Sequence, residues 1–268
     1  MSDFVKVEIN DHVASVSLNR PDKYNSLSLE MFKAIIEAGE AIIKNKSIRA
    51  VVLSGEGKGF CAGLDFASFA EMGSGKSLDD IELFRREEGN PANRAQYVGY
   101  IWKRVPVPVI AAIHGVAYGG GLQIALAADI RLAKPDAKFS VMEIKWGLIP
   151  DMSGSQTLRD LIGLDVAKEL TYTGRVIDAV EADRIGLITR VSQDPVAEAN
   201  QLAREIASKN PDAIVAGKKL FESTWHGESQ KGLELEETLQ KTLIGSTNQL
   251  ESVMANFENR PPDFQDRR

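Results

Sequence analysis

The chain has 268 residues, with 32 Lys and Arg against 38 Asp and Glu, a formal charge of −6, and 43% hydrophobic residues. That profile fits a soluble globular protein able to bury roughly three quarters of its unfolded surface without covalent staples. The lone Cys61 excludes an internal disulfide, the three separated histidines offer no zinc spacing, so no metal site is expected, and net acidity works against binding nucleic acid.

The opening residues Met1-Ser-Asp-Phe-Val-Lys carry an early acid and lack the apolar core of a secretory leader, so a cytoplasmic protein is expected. Alternation of apolar and polar side chains from Phe4 to Leu18 predicts a β-hairpin around Asn10-Asp11. Phe32, Ile35, Ile36, Ile42 and Ile43 recur at helical spacing, predicting a helix from Leu29 to about Asn45 with Ser28 as its N-cap. Arg49 to Ser54 and Val109 to Ile113 read as buried strands, each followed by glycine-rich chain and then helical pattern, an order that suggests an α/β fold. The charged stretch Glu71 to Asn93 reads as a lid or a partly ordered helix. Val105 to Ala128 is the most apolar region, but prolines, His114, three glycines and Gln123 interrupt it, so it reads as core and not as a membrane span. Beyond Val191 the pattern is helical, with helices from Pro195, from Pro211 and from Leu233 to Phe257 expected to pack on the main domain, a neighbouring subunit or both.

Three segments could carry chemistry. Gly55 to Asp65 is glycine-rich backbone able to present N–H groups to a ligand, and it is not a P-loop because Gly59 follows Lys58. Gly119-Gly-Gly opens an apolar helix after a strand, and its spacing does not match the dinucleotide-binding fingerprint. Free N–H groups at a helix start stabilise negative charge, so two such turns suit an oxyanion hole; tight packing is the alternative reading of the same glycines. In the third segment Glu143 and Asp151 stand eight residues apart among Met142, Ile144, Trp146 and Leu148, where desolvation raises a carboxyl pKa toward general-base range. A solvated or salt-bridged pair is the rival there. His114 reads as a core residue and Cys61 as packing, since no histidine is identifiable to activate the thiol.

Taken together, Phe60-Cys-Ala-Gly-Leu-Asp, Gly119-Gly-Gly-Leu-Gln and Met142-Glu-Ile-Lys-Trp-Gly-Leu-Ile-Pro-Asp resemble, in order and spacing, the signatures of the crotonase superfamily, the enoyl-CoA hydratase/isomerase family. The resemblance implies an α/β spiral of ββα units, the ClpP/crotonase type, over residues 1–194. It also implies a helical oligomerisation region over 195–268 and a homotrimer or homohexamer. The implied substrate is an acyl-CoA thioester, with coenzyme A as part of that substrate and no separate cofactor. Carried over by position, the oxyanion hole is the backbone N–H of Leu64 and of Gly120. Lys23, Tyr24, Lys58 and Ala62 become contacts for coenzyme A, although ordinary solvated charge explains Lys23 and Lys58 equally well. Asp65 reads as a structural acceptor.

Gln123 departs from the family pattern. Typical hydratases resembling this chain have a glutamate there, which works with the glutamate at the Glu143 position to activate water, whereas an amide cannot exchange protons. Dienoyl-CoA isomerases resemble the chain at Glu143 and Asp151 but carry aspartate at the Gln123 position. The resulting expectation is double-bond isomerisation, with Glu143 and Asp151 moving protons and Gln123 contacting substrate. Hydration of 2-enoyl-CoA and a non-catalytic CoA-ester or partner-binding role are the alternatives.

Overall fold

The computed structural model describes residues 3–65 and 82–268. Strands β1 (Val5–Asn10) and β2 (Val13–Leu18) form the expected hairpin. Its turn lies one residue later than expected, because Asn10 still pairs with Val13 and the positive φ values fall on Asp11 and His12. Two left-handed residues give the turn whose twist matches the strands it joins. Helix α1 (Leu29–Lys44) begins where expected, with the Ser28 side chain accepting from the Met31 N–H.

From β3 (Ala50–Gly55) the chain winds between two sheets. After α2 (Arg94–Arg104), β4 (Val109–Ile113) enters the larger sheet and β5 (Val116–Tyr118) the smaller. Helix α3 (Gly120–Leu126) returns the chain to β6 (Ile130–Ala133) and β7 (Lys138–Ser140), which repeat the step. Then come α4 (Gly154–Leu161), α5 (Leu164–Thr173), β8 (Ile177–Asp178), α6 (Ala179–Arg184) and β9 (Arg190–Val191). The larger sheet runs β1-β2-β3-β4-β6-β9, parallel except for β1, and the smaller runs β5-β7-β8. Single parallel bridges, Leu27 to Leu64 and Cys61 to Ala117, extend the second layer along the chain just before and after β3. This is the expected spiral; the three-residue β5 and β7 are too short to carry a readable alternation.

All five residues of β4 are buried, because both faces of its sheet are covered. One face meets α1 and α2. On the other, Val52, Ile110, Ala112 and Leu132 meet Ala199, Ala203 and Ala207 of α7 (Pro195–Ala207), whose small side chains let helix and sheet approach closely. Helices α8 (Pro211–Thr224), α9 (Ser229–Leu243) and α10 (Thr247–Glu258) follow. The single helix expected over Leu233 to Phe257 is therefore two. Gly245, at φ +76°, and Ser246, whose side chain accepts from the Gln249 N–H, break it, although apolar residues recur on both sides of the break. The tail returns to the core, where buried Arg267 donates to the Ile43 and Asn45 carbonyls at the end of α1.

Of the stretch read as a lid, residues 71–81 lie outside the described residues. The remainder begins with a 3-10 turn, Glu82–Phe84, and ends at Asn93, which caps α2 in a reciprocal pair with Gln96. Among the described residues no helix is long and apolar enough to cross a membrane.

Ala203→Leu forces extra volume between α7 and the sheet. We expect urea unfolding to report a loss of about 1–3 kcal/mol with an unchanged denaturant slope.

Candidate active site

Parallel bridging in the second layer sets the two glycine turns side by side. The Cys61 N–H donates to the Val116 carbonyl at 3.0 Å, and the Tyr118 N–H donates back to the Cys61 carbonyl at 3.0 Å. Glycine is required where the turns touch. A methyl group on Gly121 would lie 2.4 Å from the Cys61 carbonyl oxygen, and one on Gly63, at φ +88°, would lie 2.7 Å from the Tyr118 oxygen and 3.6 Å from the Gly120 nitrogen. The N–H groups of Leu64 and Gly120, the expected oxyanion donors, have no acceptor among the described residues. They are therefore free to serve a ligand oxygen.

Glu143 sits in a 3-10 turn, Met142–Trp146, after β7, and is 8% exposed. Its Oε1 accepts from Gln123 Nε2 at 2.6 Å, while its buried Oε2 has no hydrogen-bond partner among the described residues. Gln123, 3% exposed and on α3, can present only this orientation. The Met152 and Gly154 N–H groups both donate to its Oε1, each at 2.8 Å, so its NH₂ must face Glu143. Burial pushes the Glu143 carboxyl above the usual carboxylate range, the Gln123 hydrogen bond opposes the shift, and the negative charge of Asp151 reinforces it. Asp151 lies at the surface in the turn before α4, but the protein around it partly excludes water and raises its pKa as well.

The structure thus brings Glu143, Gln123 and Asp151 together. Of the solvated or salt-bridged pair that rivalled this expectation, the salt bridge is absent, since neither carboxylate has a cation partner among the described residues; Glu143 is buried, whereas Asp151 is exposed. The Gln123 amide bonds Glu143 and the 152–154 turn, and so positions both.

The expected coenzyme A contacts share one edge. The Ala62 N–H donates to the Tyr24 carbonyl at 2.9 Å, joining the 20–25 turn to the 58–64 loop, and Lys23 and Lys58 on these two segments are exposed. Sequence reasoning missed the residue that makes this edge. Asn25 is fully buried, donates from Nδ2 to the Glu56, Gly59 and Phe60 carbonyls at 2.9, 2.9 and 3.2 Å, and accepts the Arg20 N–H at 2.7 Å. An Asn beside exposed charge carries no sequence signal for this role beyond its tolerance of a positive φ, here +55°. Asp65 pairs with Arg20 at 2.6 Å. His114 is half-buried, with Nε2 3.0 Å from the Gly57 carbonyl oxygen. Cys61 is buried, donates to the Asn25 carbonyl and has its thiol pushed up to about 12, which suits packing and not nucleophilic attack.

A family model for enoyl-CoA hydratase/isomerase matches residues 8–267. The mitochondrial methylglutaconyl-CoA hydratase of Homo sapiens is 34% identical over 264 residues, covering 96% of this chain and 75% of that protein. The mitochondrial Delta(3,5)-Delta(2,4)-dienoyl-CoA isomerase of Mus musculus is 35% identical over 254 residues, covering 93% and 77%. A solved enoyl-CoA hydratase from Bacillus anthracis superposes with a TM-score of 0.87 at 32% identity, covering 97% of this chain and 98% of that one.

Two variants probe this geometry. Asn25→Ala leaves three carbonyls unpaired, and we expect a loss of about 2–4 kcal/mol on urea unfolding, several-fold that of a surface Asn→Ala. For Glu143→Gln the sign follows from the raised pKa. The unfolded carboxyl ionises first as pH rises, so native Glu143 costs stability above the ordinary glutamate range and none below it. Glu143→Gln should therefore raise the thermal midpoint at neutral pH, with the gain vanishing in acid; a fall at neutral pH contradicts the assigned environment.

Proposed function

The chain belongs to the enoyl-CoA hydratase/isomerase family and has its crotonase fold; from that premise we propose that it moves a double bond along unsaturated acyl-CoA thioesters without adding water. The observation that carries this reading is the 2.6 Å hydrogen bond from Gln123 to Glu143. An amide stands where water activation calls for a second proton-exchanging carboxylate, and its orientation leaves Glu143 Oε2 as the free basic atom.

In this mechanism the thioester oxygen lies on the Leu64 and Gly120 amides. Glu143 Oε2 removes a proton from the carbon next to the carbonyl. The C–H pair becomes the C=C bond of a dienolate, and the carbonyl pair moves onto oxygen. On return, the oxygen pair re-forms the carbonyl, the enolate C=C pair shifts one bond outward to become the new double bond, and the distal C=C pair takes the proton from Glu143 at the far carbon, so substrate and product are isomers and the carboxylate is restored. With a longer conjugated system, Asp151 starts protonated and donates to the far carbon, and the proton gained by Glu143 passes back to Asp151 through water before the next turnover. Oxyanion donors supply ~3–4 kcal/mol each and a positioned acid–base group ~10²–10⁴-fold in rate. Coenzyme A then lies along Lys23, Tyr24, Lys58 and Ala62, its phosphates met by the two ammonium groups. Exposed Phe221, Trp225, Leu233 and Phe257 on the C-terminal helices support self-association as a homotrimer or homohexamer.

The rival is hydration, favoured by the hydratase names among the relatives. Mass spectrometry of products from 2-enoyl-, 3-enoyl- and 3,5-dienoyl-CoA separates the two. We expect mass-conserving isomers and no hydroxyacyl product from the native chain, and a gain of hydroxyacyl product in Gln123→Glu. Hydroxyacyl product alone from the native chain overturns the reading, as does binding without any conversion. Glu143→Ala should abolish turnover. Gln123→Ala should retain part of it, with the acid limb of kcat/KM moved to higher pH because the carboxylate loses a stabilising donor; equal losses contradict the roles assigned.

A further inference from the structure

Beside Asp151 a cleft of about 300 Å³ runs between α2 and the turn before α4, lined by Gln96, Tyr100, Asp151, Ser153 and Gln156 with two prolines for walls. Ser153 is more than nine-tenths buried, and its hydroxyl has no hydrogen-bond partner among the described residues. Its backbone is held at φ +70°, a conformation that costs energy for any residue but glycine. Space for the hydroxyl comes from Gly99 on α2, where a methyl group would lie 2.7 Å from Ser153 Oγ. The Gln96 Oε1 is occupied by the Asn93 N–H, which turns its NH₂ group outward, and neither that NH₂ nor the Tyr100 hydroxyl has a partner among the described residues.

We propose that this cleft selects unsaturated acyl-CoA thioesters whose acyl chain carries an uncharged hydroxyl or carbonyl oxygen beyond the reacting carbons. The inference rests on the acyl-CoA reading above. Ser153, Tyr100 and Gln96 offer donors to such an oxygen, and Asp151 accepts from a hydroxyl. A plain alkyl chain would leave these groups dry and unpaired, a cost paid in discrimination against it. A carboxylate is disfavoured, because among the described residues no basic side chain lines the cleft to pair with it. Position couples the cleft to the chemistry: the Met152 and Gly154 amides on either side of Ser153 are the ones that hold Gln123.

The test is titration calorimetry of the whole protein with saturated, unreactive thioesters. ω-Hydroxyacyl-CoA from butanoyl to octanoyl is compared with the alkanoyl-CoA bearing a methyl group in place of the hydroxyl, and with the ω-carboxy analogue. At the best length we expect the hydroxyl form to bind about tenfold more tightly than its methyl counterpart, with the carboxylate weakest. The ratio should fall in Ser153→Gly and again when Tyr100→Phe is added. Ser153→Gly also relieves the positive φ, so a thermal midpoint at or above that of the native chain shows that the loss is not unfolding. Equal or tighter binding of the methyl series, or tightest binding of the carboxylate, overturns the inference. Because the probes are unreactive, a hydroxyl preference without any isomerisation of unsaturated thioesters supports the cleft and sinks only the isomerase reading. Isomerisation without the preference sinks only the cleft.

Discussion

The carboxamide of Gln123 joins three separate stretches of chain in a buried space. It takes two N–H bonds from the 152–154 turn and gives one to Glu143, and α3 carries it to that point from the triple glycine. An amide suits this place because one end must accept and the other donate. A carboxylate could accept both N–H groups, but it would then face Glu143 with like charge, and the two would titrate as a coupled pair. The amide leaves Glu143 as a single buried base, its proton affinity raised by burial and by the Asp151 charge and opposed by hydrogen bonds from its own backbone and from Gln123.

The spiral exists to hold that space open at its edge. Each turn of chain leaves a strand in the larger sheet and a short strand in the smaller one, and the second layer sets Cys61 to Leu64 against Ala117 to Gly120. Backbone packs on backbone there, which is why Gly63 and Gly121 admit no side chain, and the two unpaired amides emerge from the same seam. Asn25 does for the 56–60 loop what Gln123 does for the 152–154 turn. One buried amide replaces several water contacts that the loop backbone would otherwise need.

Three features are destabilising taken alone: the unpartnered Glu143 Oε2, the unpartnered Ser153 hydroxyl, and the left-handed Ser153 backbone. All three lie around the Gln123 clamp; the other buried polar atoms without a partner among the described residues, Trp102 Nε1 and Arg49 Nε, lie away from it. Glu143 and Ser153 combine an unpartnered polar atom with a place beside the proposed chemistry, which is where a ligand can complete them.

Much of this was legible in the linear pattern. Alternation gave the first hairpin, helical spacing with Ser28 gave α1, and the order of strand, glycine turn and helix gave the class. Glu143, Asp151 and the two glycine turns were visible because acids among apolar residues and clustered glycines are rare enough to notice. The split between α9 and α10 was hidden by apolar residues that recur on both sides of Gly245, and β5 and β7 by their length. Most of the site's logic was hidden for a different reason. Gln123, Asn25 and Ser153 are polar residues whose neighbours in sequence say nothing of their neighbours in space. Residue type and local spacing determined which groups were available and which segments were helix or strand; only the winding of the chain decided that an amide from one turn would meet the carboxylate of another. Hydrogen bonds of that kind span tens of residues, and their energy depends on a distance and an angle that no local pattern contains.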